Sequence, residues 1–360
     1  MKVLVIQQKM IGDVLTSSIL CEAIKLEHPS AELHYLVNSH TVPVVENNPF
    51  IDKLVLFTPK IENSKLQFYR FLKEIRKEKY DAVIDVYSKT SSAFITSFSK
   101  AKIRIGKSKS YLNWAYTHQS GMDLVRNHGI PLAYENRLNM LTPFVKNINY
   151  KVEPQIFITE KEKDQLQLKL KNEKLSLKED PVVMVNILGS SPSKTYPLPY
   201  LAELLDELVN HFKDIKFLFN YIPKQQDQVN TLKSYCSQKT QNNILNFYAP
   251  SLREFIILTS FCDAMIGNEG GAIHMAKAVN IPSFAIFSPW IRKETWGAND
   301  EDDHNLNVHL RDFEPQLFKN YNKKDFRKNQ KEYYLKFEPE LIKKTLVNFI
   351  KNSITSLNGS

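Results

Sequence analysis

The chain has 360 residues, with 42% hydrophobic and 24% charged side chains; this ordinary globular usage excludes a disordered or fibrous polymer and leaves room for two domains. Its net charge of +9 is unevenly placed, because residues 51–150 hold 17 Lys and Arg against 8 Asp and Glu and so carry an excess equal to that of the whole chain. The three cysteines, Cys21, Cys236 and Cys262, are odd in number and form no C-x-x-C pair, which argues against a disulfide framework or a zinc site and for a reducing cytoplasm.

In chain order, apolar runs rich in Val, Ile and Leu at 2–6, 32–37, 53–57, 82–85 and 102–105 predict strands. Between them, 14–26, 64–79 and 90–98 predict helices, and this alternation implies a parallel sheet covered on both faces. The opening apolar run is too short for a signal peptide, and no run approaches the roughly 20 residues that span a bilayer, so the expectation is a soluble or at most peripheral protein. A polar stretch at 146–154, ending in Pro154, breaks the pattern and marks a linker.

The second half repeats the theme, with strands expected at 182–187, 216–219, 243–245, 264–266 and 283–287 and helices at 200–212, 225–237, 252–260 and 271–279. Residues 304–336 are charged and aromatic and read as an irregular covering excursion. Residues 339–351 read as a helix that can pack back across the domain boundary. The domains are therefore 1–150 and 151–338, followed by a terminal segment 339–360. Two doubly wound sheets joined by a linker create a cleft, and such sheets bind ligands at the carboxyl ends of their strands.

Three stretches at such ends can carry chemistry. After the first strand comes Gly12-Asp13, where Asp13 serves either as a helix N-cap or as a carboxylate facing a ligand. After the 182–187 strand, Gly189, Ser190 and Lys194 offer backbone, hydroxyl and ammonium donors that suit phosphate. Neither a P-loop nor a G-x-G-x-x-G turn is present, which argues against an ATPase and an ordinary dinucleotide site. The run Gly267-Asn268-Glu269-Gly270-Gly271-Ala272-Ile273-His274 is a strand, a glycine turn and a helix start. Its free N–H groups favour a diphosphate, with His274 about one turn in. Asp300–His304 has carboxylates at cation spacing, but it lies in a polar loop without an apolar frame, so no metal is expected. Trp290 and Trp296 suit either sugar stacking or packing.

These pieces, in this order, resemble glycosyltransferase family 9, the heptosyltransferase-like enzymes of bacterial lipopolysaccharide assembly. The Gly12-Asp13 turn, Lys194 ahead of Tyr196-Pro197, the Gly267, Glu269, Gly271 and His274 signature, and the Phe287-Ser288-Pro289 strand exit carry the resemblance along nearly the whole chain. It implies a GT-B fold: two Rossmann-like domains facing a cleft, the acceptor on the first and a nucleotide-sugar on the second. It further implies metal-independent inverting transfer without a cofactor, with Asp13 as general base. Gly189, Ser190, Lys194, Glu269, Gly270, Gly271 and His274 then hold the donor and its departing diphosphate. An ADP-heptose-like donor is implied, together with an anionic acceptor of lipid A or core type, which would explain the basic first half. Gly12, Lys89, Lys107, Lys109 and Arg137 are the candidate acceptor contacts, Arg137 following Glu135 as an acidic–Arg pair does in relatives.

The chain departs from the family pattern at Glu269, where Asp is usual, and at Gly270, where Ser or Thr is frequent. Residues 220–224 also lack a Gly-rich acidic stretch. The implied location is the cytoplasm, with contact to the inner-membrane surface and no nucleic-acid partner. Two other readings share the fold: a nucleotide-sugar 2-epimerase, which needs no glycolipid acceptor and leaves the basic first half unexplained, and a non-catalytic binding protein.

Overall fold

The computed structural model describes residues 1–173, 175–177, 180–297 and 304–357, with side chains to residue 355. Two compact units divide it, Met1–Phe157 and Ile158–Ser360.

In the first unit the elements run β1 (Lys2–Ile6), α1 (Ile11–Ser17), α2 (Ile19–Glu27), β2 (Glu32–Asn38), β3 (Lys53–Phe57), α3 (Pro59–Asn63) and α4 (Lys65–Lys77). They continue with β4 (Ala82–Asp85), α5 (Thr90–Ser99), β5 (Ile103–Lys107), β6 (His118–Ser120) and α6 (Leu132–Leu138). All strands are parallel, in the order β3-β2-β1-β4-β5-β6. Leu4, Ile6, Leu36 and Val83 from the strands pack against Leu72, Ile75 and Ile95 from α4 and α5, which is why the apolar runs are nearly continuous instead of alternating. The strand order reverses between β1 and β4, and their carboxyl ends are the topological switch point.

The second unit runs α7 (Glu160–Asn172), β7 (Val182–Asn186), α8 (Leu198–His211), β8 (Lys216–Asn220), α9 (Gln226–Tyr235), α10 (Gln238–Asn242), α11 (Leu252–Thr259) and β9 (Ala264–Asn268). Then come α12 (Gly271–Ala278), β10 (Ser283–Ile286), α13 (Lys293–Trp296), β11 (Asn305–Val308), α14 (Leu310–Phe313), α15 (Lys323–Lys328), α16 (Gln330–Leu335) and α17 (Pro339–Leu357). Its sheet is also parallel, ordered β11-β10-β9-β7-β8, with its switch point between β9 and β7. Helix α17 packs on α8 and β9, and Phe349 meets Phe284 of β10.

Several elements differ from the sequence reading. The helix expected over 14–26 is two helices, divided where the Ser18 N–H and Oγ both donate to the Leu15 carbonyl and tighten the turn. The strand expected at 243–245 is reduced to a single parallel bridge, Ile244 to Phe217. Residues 304–336 are not irregular: they hold β11, which pairs with β10, and three short helices. Of the stretch considered for a cation, Asp300 to Asp303 lie outside the described residues. Among the described residues no three His, Cys, Asp or Glu side chains gather as a metal site, and no helix is long and apolar enough to cross a membrane.

Candidate functional site

Each unit gathers its chemistry-bearing residues at its own switch point. In the first, the chain leaves β1 through Gln7 and Gln8, still hydrogen-bonded to β2, and reverses at Met10. This non-glycine residue is held at φ 66°, a left-handed conformation that costs of order 1–3 kcal/mol. Helix α1 starts at once, so Met10 is the N-cap and Asp13 lies inside the first turn. The Asp13 side chain is 35% exposed.

Arg137 of α6 fixes that carboxylate. Its Nη2 donates to Asp13 Oδ1 at 2.8 Å, its Nε to Ser17 Oγ at 2.9 Å and its Nη1 to the Ala133 carbonyl at 2.7 Å. The planar fork thus reaches three acceptors at once, which a lysine cannot reproduce. Asp13 Oδ2 has no partner among the described residues. Arg137 is only 8% exposed, so it is a support for Asp13 more than an open contact surface. Neighbouring Glu135 is fully buried; burial pushes its carboxyl up, but the Asn127 and His128 N–H groups and the His128 ring hold it below the ordinary range.

The carboxyl ends of β4 and β5 add charge beside it. Asp85 is fully buried, and burial pushes its carboxyl up to about 6 even though it accepts from the Ser88 N–H at 2.7 Å and the Tyr116 hydroxyl at 2.8 Å. Gly106 admits the Tyr116 ring, since a Cβ there would lie 2.2 Å from it. Ser88 ties the strands together: its Oγ accepts from the Lys107 N–H, and its carbonyl accepts from Lys109 Nζ at 2.7 Å. Burial pushes the Lys107 ammonium down to about 8, reinforced by Arg137 and opposed by Asp13. Gln8 Nε2 is buried without an acceptor among the described residues, a site for a ligand oxygen. Gly12, Arg137 and Lys107 therefore lie beside Asp13, Lys109 is tied to the Ser88 carbonyl next to Lys107, and Lys89 stays exposed ahead of α5.

In the second unit, buried asparagines hold the strand ends. Asn268 Oδ1 accepts from the Tyr196 N–H at 2.6 Å while its Nδ2 donates to the Asn186 and Ile187 carbonyls. Asn186 Nδ2 donates back to the Asn268 carbonyl. Two glycines are required here. Gly267 adopts φ +126° with its missing Cβ 2.3 Å from the Asn186 oxygen, and a Cβ on Gly189 would meet the Lys194 carbonyl at 2.3 Å. Gly270 has extended backbone and nothing within 4 Å of a Cβ, so a larger side chain there would enter open space.

Helix α12 begins at Gly271, and its first N–H groups face the turn. His274 Nε2 lies 3.5 Å from Glu269 Oε1. Burial pushes the Glu269 carboxyl up, yet His274, then Lys194 and Lys277, hold it below its ordinary value. Both groups are nearly buried, and Glu269 Oε2 and His274 Nδ1 have no hydrogen-bond partner among the described residues. A buried carboxylate oxygen in that state calls for a ligand donor.

The loop after β7 is fastened by Ser288 Oγ and Trp290 Nε1, both donating to the Ser193 carbonyl at 2.8 Å. Its Lys194 ammonium lies 5.6 Å from the centre of the Trp290 indole, and Lys323 and Arg327 of α15 approach the same ring at 5.6 and 5.1 Å. Among the described residues no carboxylate lies within ion-pair distance of these three cations, so they form an anion-attracting group. Trp290 thus organises cations, and Trp296 stands edge-on to His274 at 5.1 Å. Half-buried Gly189 and exposed Ser190 line an open cavity of about 690 Å³, together with Tyr334 and Leu335 of α16.

Sequence reasoning missed Lys323 and Arg327, which lie on a short helix inside the segment read as irregular. It also missed Asp85, which the strand pattern hid as a buried end residue, and the Asn186–Asn268 pair.

The model of glycosyltransferase family 9 (heptosyltransferase) matches residues 68–322. A lipopolysaccharide heptosyltransferase 1 of Campylobacter coli is 27% identical over 302 residues, 80% of this chain and 84% of that protein. A glycosyl transferase family 9 structure from Veillonella parvula aligns with TM-score 0.79 at 19% identity, covering 98% of this chain and 97% of the other. The E. coli ADP-heptose lipopolysaccharide heptosyltransferase II aligns with TM-score 0.68 at 17% identity, covering 93% and 99%. At these identities the structures establish the fold, which is GT-B.

Proposed function

The chain belongs to glycosyltransferase family 9, and from that premise we propose that it is an inverting heptosyltransferase of lipopolysaccharide assembly, taking its sugar from an ADP-heptose-type donor. The acceptor is an anionic, lipid-linked saccharide of the lipid A or inner-core type, reached from the cytoplasmic face of the membrane. The donor assignment rests on relatives named as heptosyltransferases, one of them as an ADP-heptose enzyme.

One observation carries the catalytic reading: Asp13 is clamped through Oδ1 by Arg137, and its Oδ2 is left open at the switch point of a basic sheet end. In the proposed step Asp13 Oδ2 takes the proton of an acceptor hydroxyl as that oxygen bonds to the anomeric carbon. The bond from that carbon to the diphosphate oxygen breaks, and the electron pair leaves with the diphosphate. Lys194, Lys323, Arg327 and the α12 N–H groups bear the charge that develops there, so neither metal nor cofactor is called on. Glu269 Oε2 accepts from a hydroxyl of the donor sugar, and His274 orients Glu269. Lys107 and Lys109 hold acidic groups of the acceptor.

The test is incubation of the purified protein with ADP-, GDP- and UDP-sugars, with and without a lipid A-core acceptor. The expected result is consumption of ADP-heptose only when acceptor is present, a glycosylated product of inverted anomeric configuration, and thermal stabilisation by ADP alone. Conversion of a nucleotide-sugar to its epimer without acceptor would replace this reading with the epimerase, and no response to any nucleotide would replace it with the binding protein.

A further inference from the structure

The 3-10 turn Ser110–Ala115 after β5 turns its aromatic rings away from the core. In such a turn side chains three residues apart eclipse one another, so Tyr111 and Trp114 share one face, while Leu112 and Ala115 point inward and pack with Ala93 and Tyr116. Tyr111 is 61% exposed and Trp114 51%. Phe94 of α5, at 40%, stands beside them with its ring centre 5.0 Å from that of the indole and its plane tilted by 56°. Scattered exposed hydrophobics need no explanation, but aromatics gathered from two elements do.

A chain of contacts joins this group to the Asp13 site. Gln8, at the exit of β1, accepts through Oε1 from Ser91 Oγ at 3.1 Å in the first turn of α5. Phe94 follows Ser91 by three residues, so it lies on the same face of that helix, and it carries the contact on to Trp114. Lys109 is the N-cap of the 3-10 turn, with its ammonium tied to the Ser88 carbonyl at 2.7 Å next to Lys107. Strand β5 lies two places from β1 in the sheet, about 10 Å across, a gap that a single sugar ring does not bridge.

We infer that Phe94, Tyr111 and Trp114 are a saccharide platform: while the reacting sugar of the acceptor lies at Asp13, the next ring of the same acceptor lays its C–H face on Trp114 and Tyr111. The chemistry left exposed selects this occupant. The Trp114 indole N–H is spent on the Tyr111 carbonyl at 3.1 Å, so the residue offers its π face, whose negative charge attracts weakly positive C–H edges. Phe94 braces the indole at an angle and leaves that face open. Both ends of the contact chain are polar. The Lys109 ammonium suits an acid group, and Gln8 Nε2, buried without an acceptor among the described residues, suits a hydroxyl oxygen. An apolar partner answers neither. The inference rests on the reading of the first unit as the acceptor's and extends it from the reacting sugar to its neighbour, so that the acceptor class is a saccharide of more than one ring.

The experiment compares deacylated core saccharides that end after one ring or after two, free in solution with the full chain. In saturation-transfer NMR without donor, irradiation of the aromatic protons should saturate the C–H protons of the second ring. In steady-state transfer the KM of the two-ring acceptor should be about tenfold below that of the one-ring acceptor. Tyr111→Ala with Trp114→Ala should remove both the saturation and the tenfold advantage, with kcat and the one-ring KM kept within twofold. Trp114→Phe restores an aromatic face and should recover most of the advantage. Phe94→Ser, on a different element, is the second variant should the alanine pair fail to fold, and it should raise the two-ring KM alone.

An unchanged two-ring KM in the folded variants overturns the inference, as does an equal rise for both acceptors, which marks a structural role. So does a defect seen only when the acceptor is embedded in vesicles, which points to a lipid surface, or self-association of the wild type that the variants lose, which points to a protein partner. The NMR measurement needs no turnover, so a wild type that binds the second ring but transfers no sugar refutes the proposed function and leaves the platform standing. Transfer with equal KM for both acceptors and no saturation does the reverse.

Discussion

Arg137→Ala separates support of the base from the base itself. The substitution removes three bonds of 2.7, 2.8 and 2.9 Å from a guanidinium that is 8% exposed. The Ala133 carbonyl and Ser17 hydroxyl lose a buried charged donor, a loss of about 1–1.5 kcal/mol each, whereas Asp13 is accessible enough for water to replace most of its share, leaving about 0.5 kcal/mol. The total is about 3 kcal/mol, which for a unit of this size lowers the melting temperature by roughly 6–12 °C. Released from the clamp, Asp13 samples other rotamers, and a misplacement of about 1 Å lowers transfer by about 100-fold. Arg137→Lys keeps the charge but reaches one acceptor at a time, and falls between the two. The assay is steady-state transfer at 20 °C beside scanning calorimetry and ADP titration, with ADP affinity expected to stay within twofold. If folded Arg137→Ala transfers sugar at more than half the wild-type rate, Arg137 does not position Asp13.

Asp85 supplies a pH test. Its folded carboxyl is raised to about 6 from an unfolded value near 3.8, so its contribution is fully present below pH 4 and is lost as the pH rises through 6. That loss is about 2–3 kcal/mol; Asp85→Asn should flatten this part of a melting-temperature profile from pH 4 to 7, and an unchanged slope contradicts it. Gly267→Ala places a methyl 2.3 Å from the Asn186 oxygen at φ +126° and should destabilise by about 3 kcal/mol or more, whereas Gly270→Ser enters open space and should change stability by less than about 0.5 kcal/mol. Chemical denaturation of both variants checks the pair; equal stabilities would refute the assignment of the two turns. Lys323→Ala with Arg327→Ala should weaken ADP binding about fivefold, roughly 1 kcal/mol, and flatten its salt dependence, measured by calorimetry; unchanged affinity removes α15 from the anion site.

The parallel architecture was legible because its central strands are buried on both faces and read as unbroken apolar runs. Elements without that signature escaped. Strand β6 is His118-Gln119-Ser120, polar and largely exposed, and α7 is so rich in charge that only its Thr159–Glu162 capping box announces it. The 304–336 segment misled because its aromatics pack among themselves, as Phe326 does on Tyr333 with ring centres 4.0 Å apart, and show no period to read. At the sites, Asp13, Lys194 and the Gly267–His274 turn could be found from their places at strand ends. Their partnerships could not: Arg137 reads in the sequence as an acceptor contact, but its bond to Asp13 spans 124 residues, and Lys323 and Arg327 lie in the segment that showed no pattern.

Asp13 as the base tests the account most directly. Asp13→Ala should reduce transfer from ADP-heptose to the lipid acceptor by at least about 100-fold, within the usual range for loss of a general base, while ADP binds with wild-type affinity. Transfer above a few per cent of wild type by the folded variant would remove Asp13 as the group that takes the acceptor proton.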